Sequence, residues 1–452
     1  MSEVLGRLER QQIWGWGRRP VGTTDLRRPE RLRDLPELVG GERSCVARGL
    51  GRSYGDASFD SAGETILMER IDRFVDFDAS GGILECEAGV TISELLKYFV
   101  PRGFMPPVIP GTKHVTLGGA LASDIHGKNH HKDGSFCRHV VDFKLLTASG
   151  ATLVCSRKEN AELFWATVGG RGLTGIITSL RLQLSAIESA YVSVDLDRTP
   201  DLDGTLELFH ESDDRYKYSV AWVDALAGGA SLGRSVLMRG NPAPASDGRG
   251  LDVKEKRAHS VPGLFPGALL NRASVKAFNA LYYRRHPGAA RGVIQHYEPF
   301  FFPLDRADDW NRLYGKRGFT QYQCAIPYEG GRDGLARILE LVRKETAGSF
   351  LTVLKRFGPA EDEQLLSFPM PGYTLAMDIP WRGRGFEAVL NRLDAMVIRL
   401  GGRVYLTKDA RLSAESLRRM YGRLDEWLEI KKRVDPDNRF ASDLARRLEL
   451  LP

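Results

Sequence analysis

Three glycine-rich segments between Ala47 and Ser179 constrain the fold of this chain more than any other feature. They read ARGLGRSYGD (47–56), PVIPGTKHVTLGGALASDIHGKNHH (107–131) and TVGGRGLTGIITS (167–179). Glycine lets the backbone approach a ligand closely, and consecutive free N–H groups in such loops bind phosphate oxygens. One loop of this kind is usually a plain turn, but three of them predict a dinucleotide site. None has the spacing GxGxxG or GxxxxGK(S/T), so the arrangement differs from both common phosphate-binding loops.

The elements around these segments predict an α+β fold rather than regular βαβ repetition. GILECEAGV (82–90) has the composition of a strand, and Thr91 with Glu94 three residues later forms a capping-box signature that opens a short helix. VDFKLLTASGATLVCS (141–156) predicts two strands joined by a Ser-Gly turn. LTGIITSLRLQLSAI (173–187) predicts a long strand.

The C-terminal stretch SAESLRRMYGRLDEWLEIKKRVDP (413–436) predicts one long amphipathic helix. Its apolar residues recur at helical spacing and share one face: Leu417, Met420, Tyr421, Leu424, Trp427 and Leu428. Asp435 and Pro436 are expected to end the helix, because the residue before a proline disfavours helical geometry. The apolar stripe is interpreted as core packing.

The composition indicates the class of protein without identifying an activity. A chain of 452 residues exceeds one typical core, so two or three domains are expected. The net charge of +6 suits anionic substrates or an anionic lipid surface, and no arginine-rich block indicates nucleic-acid binding. The five scattered cysteines predict buried free thiols in a reducing compartment. Without a signal peptide or an apolar run of membrane-spanning length, a cytoplasmic or peripherally membrane-associated protein is expected.

The order of the glycine motifs resembles the vanillyl-alcohol-oxidase-type FAD-binding domain. Within that superfamily the chain is similar to the decaprenylphosphoryl-ribose 2-oxidase family, the flavin subunit of a 2-epimerase. The similarity is carried by DIHGKNHH (124–131), LFWATVGGRGLTGI (163–176), QYQCAIP (321–327), SFPMPG (367–372) and KDAR (408–411).

The resemblance implies a two-domain α+β protein in which a β-sheet substrate domain caps an FAD-binding domain of the PCMH type. The FAD-binding domain is expected over residues 1–187 and the substrate-binding domain over residues 188–402. A mobile loop is expected near 239–290, where the chain is rich in proline, glycine, alanine and charge. Residues 403–452 are expected to return to the FAD domain.

The resemblance also implies which residues bind FAD. From the first glycine segment they are Arg48, Gly49, Leu50, Gly51, Arg52, Ser53 and Tyr54. From the second they are Pro110, Gly111, Thr112, Thr116, Gly118, Gly119, Ala122, Ser123, His126, Gly127 and Asn129. From the third they are Gly172, Gly175 and Ile176.

The histidine cluster in SDIHGKNHHKDGSF (123–136) has several interpretations. His126 and His130 are four residues apart, which suits a metal site only on a helix, and the intervening glycine and asparagine disfavour a helix. No carboxylate cluster or thiol pair completes a coordination shell, so no metal site is predicted. The alternatives are a structural loop and, as the resemblance implies, a loop that places His126 and Lys128 beside the flavin and the substrate.

The first glycine segment also bears on how FAD is attached. Many members of the superfamily bond FAD covalently through a histidine in this loop, in the approximate pattern GxxHS. Arg52 occupies that position here, and arginine cannot form the bond. Non-covalent FAD is therefore predicted, with the guanidinium groups of Arg48 and Arg52 binding its pyrophosphate.

Oxidation of a secondary alcohol needs a hydride acceptor and a group that receives the hydroxyl proton. The resemblance places Lys408 at the junction of flavin and substrate, as a base or a stabilising cation, with His126 and Lys128 as the other catalytic candidates. Gln321 and Gln323 alternate along a predicted strand, so they share a face on which they can bind sugar hydroxyls. The predicted substrate-binding residues are Gln321, Gln323, Trp222, Lys128 and Lys408.

Two positions depart from the family pattern. Actinobacterial members commonly have a cysteine where this chain has Ala376, so a thiol at this position is not required for the chemistry. A tyrosine expected shortly before the sequence PLD is replaced by Phe301 or Phe302.

The function implied by the resemblance is FAD-dependent oxidation of the 2-hydroxyl of a polyprenylphosphoryl-ribose to a 2-keto intermediate. This is the first half of an epimerisation to the arabinose donor for cell-wall arabinan, and an NAD(P)H-dependent keto-reductase is the implied partner. The alternative within the same fold is a soluble aldonolactone or alditol oxidase that uses oxygen. Alternatives of other classes are a metal-dependent hydrolase built on the histidine cluster and a binding protein with an inactive flavin fold.

Overall fold

The computed structural model of the chain describes residues 7–253, 260–262 and 267–452. The first sheet is built from β1 (Arg7–Trp14), β2 (Val21–Arg27), β3 (Cys45–Arg48) and β4 (Glu64–Leu67). Its strand order is β1-β2-β4-β3, and both β2 and β3 run parallel to β4. The first glycine segment therefore continues directly from the end of β3.

The other two glycine segments connect elements of the second sheet: one precedes its strand β8, and the other leads into its strand β10. The strands that follow in the chain are β5 (Phe74–Asp78), β6 (Ile83–Glu87), β7 (Phe104–Met105), β8 (Val140–Leu146), β9 (Thr152–Ser156), β10 (Ile176–Gln183) and β11 (Ser185–Ala186). Five of them form an antiparallel sheet of order β5-β6-β10-β8-β9, while β7 pairs with β11. The predicted strand at 82–90, the hairpin at 141–156 and the long strand at 173–187 are confirmed.

An eight-stranded antiparallel sheet dominates the rest of the chain. Its strands are β12 (Tyr191–Thr199), β13 (Tyr218–Val223), β14 (Ser235–Pro242), β15 (Ala289–His296), β16 (Phe319–Ile326), β17 (Thr352–Phe357), β18 (Gly372–Pro380) and β19 (Arg403–Val404). They pair in the order β15-β12-β14-β13-β17-β18-β16-β19.

Helices cover the sheets and connect them. They are α1 (Leu35–Val39), α2 (Ile92–Phe99), α3 (Leu117–Ala122), α4 (His130–Asp133), α5 (Ala161–Thr167), α6 (Leu202–Ser212), α7 (Arg272–Arg285), α8 (Tyr297–Phe301), α9 (Gly331–Glu345), α10 (Arg384–Arg399), α11 (Ala414–Met420), α12 (Leu424–Val434) and α13 (Asp443–Arg447). The capping box at the start of α2 is confirmed, because Thr91 accepts from the Glu94 backbone N–H and Glu94 accepts from Thr91 N–H. The α+β class is confirmed as well.

The two faces of the eight-stranded sheet have different neighbours. Successive side chains of a strand point to opposite faces, and one set packs against α6, α9, α10 and α12 in a large apolar core. The other set, called the front face here, consists of Val220, Trp222, Val236, Met238, Gln321, Gln323, Val353, Lys355 and Ala376. This face lines a cavity, so the sheet supplies both a core and one wall of the site.

The predicted C-terminal helix is wrong in one respect, because the structure divides it into α11 and α12. Tyr421 leaves helical geometry with φ −118° and ψ 88°, and its hydroxyl donates to the Val404 carbonyl oxygen at 2.8 Å. Gly422 follows, and glycine weakens a helix interior. Five of the six residues of the predicted apolar stripe are nevertheless buried, and Leu428 is partly buried against the same core. Helix α12 ends before Asp435 as expected.

The segment expected to be a mobile loop contains regular structure. Helix α7 occupies Arg272–Arg285, which corrects the expectation of a loop over that part, because Asn271 caps the helix by accepting from the backbone N–H groups of Ala273 and Ser274. Residues 254–259 and 263–266 of the expected loop lie outside the described residues. The mobility of the segment stays a prediction.

The C-terminal segment contacts the first sheet and the first glycine segment. Phe440 forms a parallel bridge with Cys45, and Arg447 forms an ion pair with Asp56 at 2.7 Å. The assignment of residues 403–452 to the FAD domain and the three domain boundaries stay predictions. The five cysteines are free and buried. Among the residues that the structure describes, no helix is long and apolar enough to cross a membrane.

Candidate active site

A cavity of about 420 Å³ lies between the glycine segments and the front face of the eight-stranded sheet. Its size falls within the range of roughly 300–1,000 Å³ that is typical of small-molecule sites. The structure thus brings together parts of the chain that are up to several hundred residues apart, from Trp16 to Lys408.

Most of the predicted site residues line this cavity. From the first glycine segment they are Gly49, Leu50, Gly51, Arg52, Ser53 and Tyr54. From the second they are Pro110, Gly111, Thr112, Thr116, Gly118, Gly119, Ala122, Ser123, His126, Gly127 and Lys128. From the rest of the chain they are Gly172, Gly175, Trp222, Gln321, Gln323 and Lys408.

Three predicted cofactor residues do not line the cavity. Arg48 donates to the Ser58 hydroxyl at 3.0 Å and to the Trp14 carbonyl oxygen at 2.9 Å, so its guanidinium braces the first glycine loop instead of facing the site. Asn129 is buried and donates to the Pro107 carbonyl oxygen at 2.8 Å.

The third of these residues is Ile176, and its neighbour Ile177 lines the cavity in its place. Ile176 packs in the core of the first sheet with Cys45 and Ile66, whereas Ile177 lines the cavity. Because neighbouring side chains of β10 point to opposite faces, only one of the two can reach the site. The sequence does not show which of the two faces of β10 points to the cavity, so it could not decide between Ile176 and Ile177.

The glycine positions fit an elongated ligand that lies against the backbone. A Cβ atom added at Gly111 or Gly172 meets no atom within 4 Å, so these glycines border open cavity space. A Cβ added at Gly49 would lie 2.2 Å from the Thr116 hydroxyl, and one at Gly118 would lie 2.8 Å from the Ala88 side chain. The glycines therefore serve two purposes: some keep the ligand path open, and others let the surrounding segments pack closely.

Two arginines at the cavity have unsatisfied hydrogen-bond donors. Arg52 lies 3.9 Å above the Trp16 ring, and its Nε atom is buried without a partner among the described residues. Arg171 donates to the Leu366 carbonyl oxygen, but its Nε and Nη2 atoms have no partner in the same part of the chain. Buried donors without partners are costly, so both guanidiniums suit an anionic ligand. The glycine cradle and these donors fit the FAD predicted from the sequence.

Three lysines, Lys128, Lys355 and Lys408, line the cavity. Burial lowers the pKa of each ammonium group to about 7, and the neighbouring Lys355 further lowers the pKa of Lys128 and Lys408. Lys408 Nζ lies 3.8 Å from the centroid of the Tyr54 ring, which is a cation–π distance. An ammonium group with such a lowered pKa loses its proton more readily than an exposed lysine, so the site can both hold negative charge and accept a proton.

The three clustered histidines point to different partners. His126 Nδ1 lies 3.1 Å from Lys355 Nζ, and its Nε2 lies 3.0 Å from the Gln323 side-chain amide. His130 Nδ1 accepts from the Gly358 N–H at 3.2 Å, while His131 Nε2 lies 3.0 Å from the Tyr216 carbonyl oxygen. Burial lowers the pKa of His126 well below its usual value, so this ring is neutral. In residues 7–253, 260–262 and 267–452, no group of three potential metal ligands is present.

Gln321 and Gln323 share the front face as predicted, and Tyr322 points the opposite way to hydrogen-bond Asp394 at 3.0 Å. Gln321 donates to Asp378 Oδ1, while Asp378 Oδ2 is buried with no partner in the described part of the chain. Burial raises the pKa of Asp378 to about 7, against the lowering effects of the Gln321 hydrogen bond and of Lys408.

The strand register places an apolar row beside this polar group. Val236 lies opposite Trp222, Trp222 opposite Val353, Val353 opposite Ala376, and Ala376 opposite Gln323. The Trp222 Nε1–H donates to the Phe350 carbonyl oxygen at 2.9 Å, which fixes the ring in the cavity wall. The cavity is therefore polar toward β16 and apolar toward β13 and β14.

The sequence did not predict several polar residues of the site. Arg171, Lys355 and Tyr405 line the cavity, and Asp378 lies behind Gln321, from which it accepts a hydrogen bond. Lys355 follows Val353 in the alternating sequence TVLKRF, which is the signal that could have placed both on one face. Tyr405 donates to the Ser123 carbonyl oxygen at 2.8 Å and so links the KDAR region to the histidine loop.

Two family models match parts of the chain that line the cavity. The family described as FAD binding domain matches residues 40–156, which carry the first two glycine segments. The family described as D-arabinono-1,4-lactone oxidase matches residues 268–448, which carry Gln321, Lys355 and Lys408. The chain is therefore an FAD-dependent oxidoreductase.

Individual relatives extend this similarity over the full length. The decaprenylphosphoryl-beta-D-ribose oxidase of Mycolicibacterium smegmatis is 40% identical, and the alignment covers 98% of both chains. The L-gulono-1,4-lactone dehydrogenase of Mycobacterium tuberculosis is 24% identical over 96% of this chain and 99% of its own. Cytokinin dehydrogenase 2 of Arabidopsis thaliana is 32% identical over 31% of this chain and 28% of its own. The chain belongs to the decaprenylphosphoryl-ribose oxidase family of FAD-dependent oxidoreductases.

Proposed function

We propose that this protein oxidises the 2-hydroxyl of a polyprenylphosphoryl-ribose to the 2-keto intermediate. The proposal rests mainly on one observation: a single cavity is bordered by the three glycine segments, by a polar wall on the β16 side and by an apolar wall on the β13 and β14 side. The polar wall suits a sugar phosphate, the apolar row from Val236 to Ala376 suits a prenyl chain, and the cradle suits FAD. The name of the Mycolicibacterium relative supports the same substrate.

The proposed roles of the residues follow from their charge. FAD supplies the hydride acceptor when it is bound. Lys408, as an amine, receives the proton of the substrate hydroxyl, and Gln321 and Gln323 orient the sugar through hydrogen bonds. Lys128 and Lys355 supply positive charge in a site that collects negative charge, while neutral His126 is held by Lys355 and Gln323.

The proposed proton acceptor predicts how Asp378 affects the pH profile. The Asp378 carboxylate raises the pKa of Lys408 by stabilising its ammonium form. Asp378→Asn removes that charge, so the pKa of Lys408 falls and the amine forms at lower pH. We expect the acid limb of kcat, near pH 7 in the native enzyme, to move to lower pH in this variant. Stopped-flow flavin reduction across the pH range measures the limb. Asp378→Glu should leave it nearly in place, and an unmoved limb in Asp378→Asn would argue against Lys408 as the base.

FAD is proposed to be bound without a covalent bond. Arg52 occupies the position of the attaching histidine, and the first glycine segment (47–56) contains no histidine. Acid precipitation of the yellow protein should therefore release all of the flavin to the supernatant. Flavin that remains in the protein pellet would contradict the proposal.

Ala376 predicts resistance to inhibitors that bond a thiol at this position. Its side chain faces the cavity between Val353 and Gln323, and all five cysteines of the chain are buried elsewhere. Intact-mass measurement after exposure to such a compound should show no adduct. Ala376→Cys should gain one adduct per chain, and labelling of the unmodified sequence at another cysteine would contradict the prediction.

The alternative function is an aldonolactone or alditol oxidase that passes electrons to oxygen, and the match to the lactone-oxidase family favours it. The two functions differ in substrate and in products. The proposal predicts turnover of polyprenylphosphoryl-ribose with an artificial electron acceptor and little peroxide. Faster turnover of L-gulono-lactone with stoichiometric peroxide would instead establish the alternative.

The proposed product implies a partner. A 2-keto sugar must be reduced on the opposite face to complete an epimerisation, which requires a hydride donor such as NAD(P)H. We therefore propose an NAD(P)H-dependent keto-reductase as the partner, with the arabinose donor for cell-wall arabinan as the joint product.

A further inference from the structure

Helix α7 exposes apolar side chains on its outer face. Among the described residues, nine large hydrophobic side chains are exposed, and three of them, Leu269, Phe278 and Leu281, lie on α7 or just before it. Leu281 is 68% exposed and Phe278 is 44% exposed. A concentration of exposed apolar side chains of this kind marks an interaction surface.

The orientation of the helix is fixed by its inner face. Asn279 is fully buried and donates to Asp224 Oδ1 at 2.9 Å and to the Ser349 carbonyl oxygen at 3.1 Å. The Tyr283 hydroxyl donates to the Thr199 carbonyl oxygen at 3.1 Å. These contacts hold Leu281 toward solvent. Phe278 lies at the edge of this outer face, where its ring contacts Phe350 and Tyr282 and remains 44% exposed.

The positive charge of α7 favours an anionic partner. The helix contains Arg272, Lys276, Arg284 and Arg285 and no acidic residue. Lys276, Arg284 and Arg285 are exposed, and none of them forms an ion pair within residues 7–253, 260–262 and 267–452. Apolar side chains flanked by unpaired basic ones are the pattern that binds the interface of an anionic bilayer.

The position of α7 connects this surface to the site. Tyr282, one turn after Phe278 and 5.9 Å from it between ring centroids, lines the cavity and lies 4.5 Å from Trp222. The apolar wall of the cavity is therefore directly behind the exposed face. A helix at the bilayer surface would deliver an apolar chain to that wall without exposing it to water.

From these observations we infer that α7 and Leu269 form a docking surface for an anionic phospholipid bilayer, beside the entrance used by a lipid-linked substrate. The inference deepens the proposed function and rests on it for the identity of the substrate. The docking itself depends only on the exposed apolar and basic side chains.

Flotation of the FAD-loaded enzyme with vesicles of equal parts phosphatidylglycerol and phosphatidylcholine tests the docking. The native enzyme should bind these vesicles and bind phosphatidylcholine vesicles weakly. Phe278→Ser with Leu281→Ser removes two apolar anchors and should weaken binding by at least about tenfold. Val75→Ser, at a side chain 57% exposed on β5, is the matched control and should bind like the native enzyme. Lys276→Glu with Arg284→Glu should weaken binding to the anionic vesicles only.

Equal vesicle binding by the native enzyme and the Phe278/Leu281 variant would overturn the inference, as would no binding by either. A native dimer that this variant converts to a monomer, without a change in vesicle binding, would assign the surface to a second copy and overturn it too. The test does not use turnover, so a failure of the proposed function is distinguishable. If both hold, the Phe278/Leu281 variant should oxidise a short-chain soluble substrate normally and a vesicle-embedded one at least about tenfold more slowly.

Discussion

Lys408→Met is expected to lower kcat by about 10²–10⁴-fold, the usual contribution of a positioned general base. The substitution removes the group that receives the hydroxyl proton and keeps an apolar side chain of similar length over the Tyr54 ring. Lys355 and Lys128 remain, so the positive charge of the cavity falls by one lysine only. The FAD content should stay at the native level, because the arginines and the glycine cradle are untouched.

The rate of anaerobic flavin reduction by the substrate measures this effect without the oxidative half-reaction. Lys158→Met, at an exposed lysine outside the cavity, is the control and should react at the native rate. A Lys408→Met enzyme that retains more than about a tenth of the native rate would show that another group accepts the proton, since general bases contribute at least about 10²-fold.

Gly111→Leu is expected to weaken FAD binding by roughly 5- to 150-fold, the range that corresponds to overpacking a filled site. The added side chain meets no protein atom within 4 Å at its Cβ, and the glycine lines the cavity. The substitution therefore fills ligand space without a clash in the protein. The expected product is a folded protein that is purified with little flavin.

Flavin content, FAD titration and the thermal midpoint of the apoprotein separate these effects. The apoprotein of Gly111→Leu should melt near the apoprotein of the native sequence. Gly288→Leu, also at a glycine with open space around its Cβ but outside the cavity, should keep full flavin content. Native flavin content in Gly111→Leu would contradict the assignment of this wall to FAD.

Much of the site could be predicted because it is carried by local sequence. The three glycine loops predicted a dinucleotide site from local sequence, and the family resemblance then named the individual residues, most of which line the cavity. The shared face of Gln321 and Gln323 followed from the two-residue period of a strand. The resemblance added Lys408, which no local pattern distinguishes from a surface lysine.

The remainder depends on packing between distant segments. Lys355 lines the cavity because β17 pairs with β18 in the register that places Val353 opposite Ala376, and Asp378 contacts Gln321 because β18 also pairs with β16. That register is set by contacts across the whole sheet. Ile176 was chosen in place of Ile177 because a shift of one residue exchanges the faces of a strand. Arg48 was expected at the ligand, but the nearby Ser58 and Trp14 supply partners that local sequence does not reveal.

The division of the predicted C-terminal helix into α11 and α12 also depends on a contact between distant residues. Its apolar stripe correctly identified the buried residues, because both α11 and α12 place them against one core. The break at Tyr421 depends on a hydrogen bond to Val404, a residue before the helix and outside its periodic pattern. Periodicity alone therefore predicted the burial and missed the interruption.

The measurement that most directly tests the account is anaerobic flavin reduction by polyprenylphosphoryl-ribose that carries deuterium at C2 or at C3. If the cavity oxidises the 2-hydroxyl, the unlabelled substrate bleaches the oxidised flavin, and deuterium at C2 slows the bleaching while deuterium at C3 does not. Bleaching that is slowed only by deuterium at C3, or the absence of bleaching in a fully FAD-loaded enzyme, would contradict the proposed reaction.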